Sequence, residues 1–164
     1  MLSFFDQLTS VDLVKIDLEG DTFTGLATLE SLRRLWLERC KFPAPAFVDF
    51  EQKRGGNVSI QFSAKAFLGV SNAPPRRFPL GQPHPPQVKG ACVIVSVVPG
   101  EAADRAGMKP GDEVFQIGDQ EVRNFDELRV VIAQYEIGEE ATIRVRREGK
   151  ELTLKAKMGT PNDY

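Results

Sequence analysis

Residues 96–122 read SVVPGEAADRAGMKPGDEVFQIGDQEV, and the turn residues inside this stretch decide the fold. The dipeptide PG at 99–100 ends a run of apolar residues, and residues 101–106 predict one or two turns of helix. Gly107 then occupies the position after a helix end, where glycine is favoured because it adopts a positive φ without strain. Residues 109–112, KPGD, have proline and glycine at the two central positions of a type II turn. The stretch therefore predicts a strand, a short helix and a tight turn in that order.

Strands flank this stretch on both sides. The apolar run Val93–Val98 predicts a buried strand on its N-terminal side. On the C-terminal side, Glu113–Ile117 and Gln120–Val122 predict two strands around a tight turn at residues 118–119. A hairpin with two-residue alternation of polar and apolar side chains is predicted further on. Its strands are Thr142–Arg146 and Leu152–Ala156, joined through residues 148–150.

A helix is predicted between these strands. Asn124 is its expected N-cap, and Glu127 three positions later completes a capping box. The predicted helix runs to about Tyr135, and Gly138 follows its end.

Taken together, these residues resemble a PDZ domain, and more narrowly the bacterial type attached to HtrA-like serine proteases and membrane-embedded metalloproteases. The resemblance spans about residues 64–158. It implies an α+β fold, in which a PDZ-type, partly open antiparallel β-barrel or sandwich carries one helix beside a groove. The motifs that carry it are AFLGV (66–70), SVVPGEAADRAGMKPGDEVFQIGDQEV (96–122), NFDELRVVI (124–132) and RVRREGKELTL (144–154).

The resemblance implies a peptide-binding groove between one strand and the 124–135 helix. A peptide would pair as an added strand, and backbone amides of the 67–70 loop would receive its free carboxylate. The glycine in this loop lets consecutive N–H groups form a concave anion site. A lysine just upstream could support the carboxylate or could be a solvated surface residue. The binding residues predicted here are Lys65, Phe67, Leu68, Gly69, Val70 and Ser71.

The predicted helix divides into two faces at 100° per residue. Matching the family pattern directs Phe125, Arg129 and Ile132 toward the groove. Arg129 replaces an often apolar position, so it would favour an acidic or polar side chain two residues before the ligand terminus. The remaining set is expected in the core: Leu128, Val131 and Tyr135. The alternative is that all the apolar residues of the helix are core.

A proline-rich interval departs from the family pattern. Residues 71–89 read SNAPPRRFPLGQPHPPQVK and hold six prolines, which supply no N–H groups to a sheet and favour an extended form. We expect an extended surface connection here. A second interpretation makes the interval itself a ligand for an aromatic groove elsewhere.

The N-terminal part contains an internal repeat at a spacing of nineteen residues. The pattern LxxIxLxxDxF recurs as LxxLxLxxCxF and resembles the leucine-rich repeat over about residues 10–42, where Cys40 would hydrogen-bond the turn after the strand. An ordinary amphipathic strand–helix unit is the alternative. The matched residues are Leu13, Ile16, Leu18, Asp21 and Phe23, followed by Leu32, Leu35, Leu37, Cys40 and Phe42.

A boundary between two domains is expected near residue 56. The tripeptide PAP at 43–45 is predicted to end the repeat, and a strand at 58–62 could belong to either part. The predicted division is a leucine-rich-repeat-like segment at 1–56 and a PDZ domain at 57–160.

Composition excludes several classes of protein. The 164 residues carry 21 basic and 23 acidic side chains, so no basic excess indicates nucleic-acid binding. No run reaches the ~18 apolar residues of a membrane span, so we expect no membrane insertion. Cys40 and Cys92 are expected to be buried reduced thiols, with a disulfide as the alternative. No metal site or cofactor is expected.

The chain is expected not to be an enzyme. Its single histidine, His84, lies among prolines, and no nucleophile, metalloprotease or phosphate-loop motif accompanies it. We expect a non-catalytic module that captures C-terminal or extended peptides by strand addition. The alternative is a structural scaffold that forms homo-oligomers through the leucine-rich segment and has a degenerate groove.

The expected compartment depends on whether the chain is full length. The start, MLSFFD at residues 1–6, has no basic and apolar leader, so a full-length chain is expected in the cytoplasm. For a fragment of a longer protein, the periplasm and the extracellular space stay open.

Overall fold

A computed structural model describes residues 7–54, 56–62, 66–73 and 91–160 of the chain. The chain divides into two compact units, Met1–Lys65 and Ala66–Tyr164. Each unit has its own sheets and its own set of buried apolar side chains.

The first unit alternates strands and helices. Its three strands are all parallel, and they lie in the order β1–β2–β3 in one sheet. The elements are β1 Ser10–Val14, α1 Gly20–Ala27, β2 Arg34–Glu38, α2 Ala44–Arg54 and β3 Ser59–Phe62.

The strand register corrects the predicted repeat. Leu13 pairs with Leu37, and Leu37 pairs with Phe62, so the structural period is 24 to 25 residues rather than nineteen. Lys15 and Arg39 directly follow β1 and β2, and they share a left-handed backbone with φ of 53° and 52°. This period lies within the range of leucine-rich repeats, and membership of that family stays a prediction.

Cys40 makes the turn contact that was expected of it. Its thiol lies within hydrogen-bond distance of two carbonyl oxygens, at 3.4 Å from that of Glu38 and 3.3 Å from that of Leu13, so it contacts the ends of both β1 and β2. Asp21 was matched to Cys40 under the nineteen-residue spacing, and that match is wrong because Asp21 is exposed in the first turn of α1.

Phenylalanines dominate the core of the first unit. The ring centroids of Phe23 and Phe42 are 5.3 Å apart in an edge-to-face arrangement, as are those of Phe23 and Phe47. Such pairs stabilise by about 0.5–1.5 kcal/mol beyond the area they bury. The rings that take part are Phe23, Phe42, Phe47, Phe50 and Phe62.

Two predictions about the end of this unit are wrong. The prolines at 43–45 begin α2 instead of ending the repeat, because the first turn of a helix does not need the N–H groups that proline lacks. The strand β3 pairs with β2, so it belongs to the first unit. The boundary therefore lies at residues 65–66 rather than near 56.

The second unit mixes short helices with antiparallel strands. One sheet has five strands, in the order β10–β9–β7–β5 with β8 beside β7, and a second sheet pairs β4 with β6. Among the described residues these sheets do not close into a barrel. The strands are β4 Val70–Ser71, β5 Cys92–Val93, β6 Ser96–Val97, β7 Glu113–Ile117, β8 Gln120–Glu121, β9 Glu140–Arg147 and β10 Lys150–Lys157; the helices are α3 Ala102–Arg105 and α4 Phe125–Ile132.

The predicted strand at 93–98 is divided between the two sheets. The N–H of Ile94 donates to the carbonyl of Asp112 at 2.8 Å, whereas the N–H of Val95 donates to the carbonyl of Ser71 at 2.9 Å. The chain therefore leaves β5 and enters β6 at these two residues, which one apolar run does not indicate.

The turns of the second unit agree with the sequence. Gly107 and Gly111 have φ of +82° and +94°, and the N–H of Asp112 donates to the carbonyl of Lys109 at 3.1 Å, which closes the predicted turn. The α4 helix is shorter than predicted, since it ends at Ile132 rather than near Tyr135.

A buried ion pair ties this turn to the hairpin of β9 and β10. The Asp112 carboxylate is fully buried, and it accepts two hydrogen bonds from Arg147, at 2.6 Å from Nε and 2.8 Å from Nη2. Asp112 also accepts from the N–H of Lys109, and Arg147 donates to the carbonyl of Gly107. The hydrogen bond to Asp112 raises the pKa of Arg147 above its ordinary value.

Candidate functional site

In the segment Phe67–Val70, the first three carbonyl groups accept hydrogen bonds from backbone N–H groups elsewhere in the second unit. The Phe67 carbonyl accepts from the N–H of Gly159 at 3.0 Å. The Leu68 carbonyl accepts from Ala103 at 2.8 Å, and the Gly69 carbonyl accepts from Val98 at 2.8 Å. Three consecutive carbonyls are thus directed at neighbouring backbone.

The N–H groups of this segment have the opposite direction. In a trans peptide unit the C=O and N–H point to opposite sides, and the described part of the chain has no cis peptide bond. The N–H groups of Leu68, Gly69 and Val70 therefore point away from the groups that hold the preceding carbonyls. Within the described residues, neither Leu68 nor Gly69 donates its N–H to another group.

The β4 strand has one unpaired edge. The bond from the Val98 N–H to the Gly69 carbonyl makes Val70 and Val97 a non-hydrogen-bonded pair, since the two kinds of pair alternate along antiparallel strands. The N–H and C=O of Val70 consequently face the edge opposite β6. In the part of the chain that the structure describes, no strand pairs with that edge.

Gly69 is the residue that allows this arrangement. Its φ is +83°, a left-handed conformation that side-chain-bearing residues rarely adopt. A Cβ atom at this position would lie 2.4 Å from the Cβ of Glu101. The loop therefore requires glycine for its backbone conformation and for its close packing on Glu101.

The α4 helix begins with a well-formed cap. The N–H of Glu127 donates to the side chain of Asn124 at 2.9 Å, and the Glu127 carboxylate accepts from the N–H of Arg123 at 2.8 Å. The predicted capping residues are thus correct, although the Glu127 side chain reaches Arg123 rather than Asn124 for its backbone contact.

The exposure of α4 separates its two faces. Leu128 and Val131 are buried, as the helix angle predicts. Phe125 and Ile132 are half-buried and Arg129 is exposed.

Comparison with known protein families identifies the domain that contains this loop and helix. Residues 66–158, more than half of the chain, match the family described as the PDZ domain. The chain belongs to the PDZ domain family. Its PDZ domain is similar to those of HtrA-like and DegP-like proteins.

Two of these relatives are named as probable periplasmic serine endoproteases of the DegP-like kind. The protein from Rickettsia conorii is 34% identical over 71 residues, which are 43% of this chain and 14% of that protein. The protein from Marinomonas sp. is 28% identical over 112 residues, which are 68% of this chain and 23% of that protein. The chain thus corresponds to less than a quarter of the length of either relative.

A similar solved structure is that of the HtrA-type protease AlgW with a decapeptide. It is 22% identical to this chain, covers 73% of it and 35% of the protease, and superposes with a TM-score of 0.47.

The PDZ domain brings some of the predicted site residues together. Phe67 to Ser71 form one continuous segment that enters β4, whereas Phe125, Arg129 and Ile132 lie on α4, which contacts β5 and β7. That these two sets face each other across a groove stays a prediction. Lys65 and residues 74–90 of the proline-rich interval lie outside the described residues.

Sequence reasoning missed the residues that hold the loop in the PDZ domain. Val98, Ala103 and Gly159 supply the N–H groups that engage the loop carbonyls, and Glu101 packs beneath Gly69. Three of these lie within the 96–122 stretch, where residues 101–106 predict one or two turns of helix but not these contacts. A contact between Phe67 and Gly159 has no local signal, because the two residues are far apart in the sequence.

Cys92 is expected to be chemically inert in the folded PDZ domain. Its side chain is 1% exposed, and burial raises the pKa of its thiol to about 12, with smaller contributions from Glu127 and Glu113. Because the thiolate is the reactive form, Cys92 should resist a maleimide at about pH 8 until urea unfolds the protein. Mass spectrometry of the labelled peptides measures this, and rapid labelling in the folded state would contradict the assignment.

The same shift gives a pH dependence of stability. The folded pKa of Cys92 lies above its unfolded value of 9.0, so this contribution is fully present below about pH 9 and is lost as the pH rises toward 12. The loss approaches about 1.4 kcal/mol per pH unit in that window. Cys92→Ala should lose less stability than the parent protein between about pH 8 and 10.5. An equal loss would contradict this origin.

Two further observations concern metals and membranes. Among the described residues, no three His, Cys, Asp or Glu side chains lie close enough to hold a metal ion. The helices of residues 7–54, 56–62, 66–73 and 91–160 are all too short or too polar to cross a membrane.

Proposed function

We propose that this chain is a non-catalytic peptide-binding module that captures C-terminal or extended peptides by β-strand addition. The observation that carries the proposal is the backbone of residues 68–70. Its N–H groups point away from the backbone that holds the Phe67, Leu68 and Gly69 carbonyls, and it leads into an edge of β4 with which no strand of the described residues pairs.

The edge of β4 that no described strand covers suits an added strand. A bound peptide would accept the N–H of Val70 and donate to its C=O, which are the two groups that β6 leaves unused. Main-chain bonds of this kind give affinity to many peptide sequences, and side-chain pockets give selectivity.

The loop suits the end of a peptide. A carboxylate accepts several N–H bonds at once, and charge-assisted bonds are about twice as strong as neutral ones. Leu68 is 1% exposed, so its side chain belongs to the core and its N–H is its contribution to the site. Phe67 and Val70 are half-buried and border the loop. Lys65 and Ser71 complete the proposed set.

Arg129 is proposed to select the peptide. It is exposed on α4 between Phe125 and Ile132, which are one turn away on either side. We expect Arg129→Glu to weaken binding of a peptide with an acidic residue two positions before its terminus by about tenfold. The variant should prefer a basic residue at that position. Unchanged preference in a competition assay would remove Arg129 from the site.

The relatives support a periplasmic setting. Both DegP-like proteins are named as periplasmic, which favours that compartment over the cytoplasm for this chain. Because both relatives are named as serine endoproteases, we also propose a serine protease as a partner. It would cleave the proteins that the module binds, or the module would regulate it.

Binding of a fluorescent library of C-terminal peptides tests the proposal. Each peptide is measured as the free acid and as its amide by fluorescence anisotropy. We expect dissociation constants near micromolar, about −8 kcal/mol, for the best free acids, and a loss of at least about tenfold on amidation. Equal binding of acid and amide would restrict the module to internal peptides, and no binding to any peptide would overturn the proposal.

The alternative is a scaffold built on the first unit. Val14 and Ile16 are each 44% exposed, and the outer edges of β1 and β3 have no partner strand among the described residues. Analytical ultracentrifugation distinguishes the two functions. A stable dimer that binds no peptide would favour the scaffold, and a monomer that binds free-acid peptides would exclude it.

A further inference from the structure

We propose that Glu101 is a positioning residue for the loop that receives the peptide carboxylate. This inference rests on the proposed function, and it assigns a role to a side chain that the loop motif does not include. Glu101 is 2% exposed, which is rare for a glutamate.

The stem of the Glu101 side chain supports Gly69. The Cβ and Cγ of Glu101 lie 2.4 and 3.1 Å from the position that a Cβ on Gly69 would occupy, and Val98 Cβ lies 3.6 Å away. These distances place the stem in direct contact with the Gly69 backbone. The Gly69 peptide units therefore cannot move toward the body of the domain while Glu101 is in place.

The head of the same side chain reaches the other end of the loop. Oε2 of Glu101 lies 3.6 Å from the Cβ position of Gly159, and the Phe67 carbonyl lies 3.8 Å from that position. Gly159 and Phe67 exchange both of their backbone hydrogen bonds, at 2.9 and 3.0 Å. One side chain thus spans the loop from Gly69 to the Phe67–Gly159 pair.

The backbone of Glu101 is itself fixed. Its N–H donates to the carbonyl of Val98 at 3.2 Å, and its carbonyl accepts from the N–H of Arg105 at 3.0 Å. The Glu101 side chain is thus fixed at its backbone and packs against both ends of the loop. We infer that it holds the outward N–H groups of the loop in one geometry. Pre-arranged donors bind a carboxylate more tightly than donors that must be ordered on binding.

The proposed role depends on the length and shape of the side chain, and the Glu101→Gln variant separates these from its charge. Glu101→Gln keeps both, Glu101→Asp shortens the side chain by one carbon, and Glu101→Ala removes the part that reaches Gly159. The three variants therefore form a graded series. Asp104→Ala is the control from the same segment, because in the described part of the chain the Asp104 carboxylate accepts from the N–H of Gly100 and from no residue of the loop.

The experiment measures the ratio of free-acid to amide affinity for the tightest peptide of the library. We expect Glu101→Ala to lower the affinity for the acid by about tenfold and that for the amide by less than about twofold. Glu101→Asp should give an intermediate ratio, and both Glu101→Gln and Asp104→Ala should keep the ratio of the parent protein.

Three other outcomes would contradict this inference. A parent-like ratio in Glu101→Ala or, where that variant does not fold, in Glu101→Asp would mean that the side chain only stabilises the fold. A loss in Glu101→Gln as large as in Glu101→Ala would assign the effect to charge and overturn the positioning role. If the parent protein itself binds acid and amide equally, the loop receives no carboxylate and this inference fails, whereas the peptide-binding function is then restricted to internal peptides.

Discussion

Gly69→Ala is expected to lower the affinity for a free-acid peptide by at least about 30-fold, which is about 2 kcal/mol. The φ of +83° would cost a residue with a side chain about 1–2 kcal/mol. The new methyl group would also lie 2.4 Å from the Cβ of Glu101, which is not the far end of a flexible chain and cannot yield cheaply. Overpacking of this kind adds about 1–3 kcal/mol. The loop must shift to accommodate the methyl group, and the N–H groups shift with it.

Gly100→Ala is the matched control. Gly100 has a φ of +78°, but apart from its two chain neighbours no atom of the described residues lies within 4 Å of its Cβ position. This variant should lose about 1 kcal/mol of stability through backbone strain alone and should bind the peptide as the parent protein does. If both variants bind normally in the anisotropy assay, the carboxylate is not received at the 67–70 loop.

Arg147→Met is expected to lower the free energy of unfolding by about 3–5 kcal/mol. The substitution leaves the fully buried Asp112 carboxylate without the two bonds that Arg147 donates, and the Gly107 carbonyl also loses a donor. Breaking a buried pair from one side is costly because the remaining charge is desolvated and uncompensated. Urea unfolding followed by circular dichroism measures the loss.

Lys155→Met provides the comparison on the same hairpin. Its ammonium lies 3.2 Å from Glu140, but the side chains are 70% and 59% exposed. Exposed pairs contribute little, so we expect a change below about 0.5 kcal/mol. Equal effects of the two substitutions would mean that the Asp112–Arg147 pair does not hold the turn to the hairpin.

Local signals were the part of the fold that the sequence could predict. Gly107, Gly111 and Asn124 act within a few residues, through a positive φ or one hydrogen bond, and each occupies its expected place. The antiparallel strands of the hairpin follow from alternation for the same reason. The loop at 67–70 was indicated by resemblance to the PDZ family rather than by any local rule.

Contacts between distant residues were the part that could not be predicted. The strand register in the first unit depends on how many residues each helix and turn occupy, so similar residues nineteen apart were matched although pairing sets a period of 24 to 25. The Asp112–Arg147 pair joins residues 35 apart. The burial of Glu101 could not be predicted from the sequence either, because glutamate is usually exposed.

The central claim is that the amides of residues 68–70 receive a peptide carboxylate, and an NMR titration tests it most directly. Amide shifts are followed while the tightest free-acid peptide, and separately its amide, is added to the ¹⁵N-labelled chain. We expect the N–H protons of Gly69 and Val70 to move downfield, further than any other amide, with the free acid and much less with the amide. If the peptide binds while the amides of Leu68, Gly69 and Val70 stay unchanged, the carboxylate site lies elsewhere and the account is wrong.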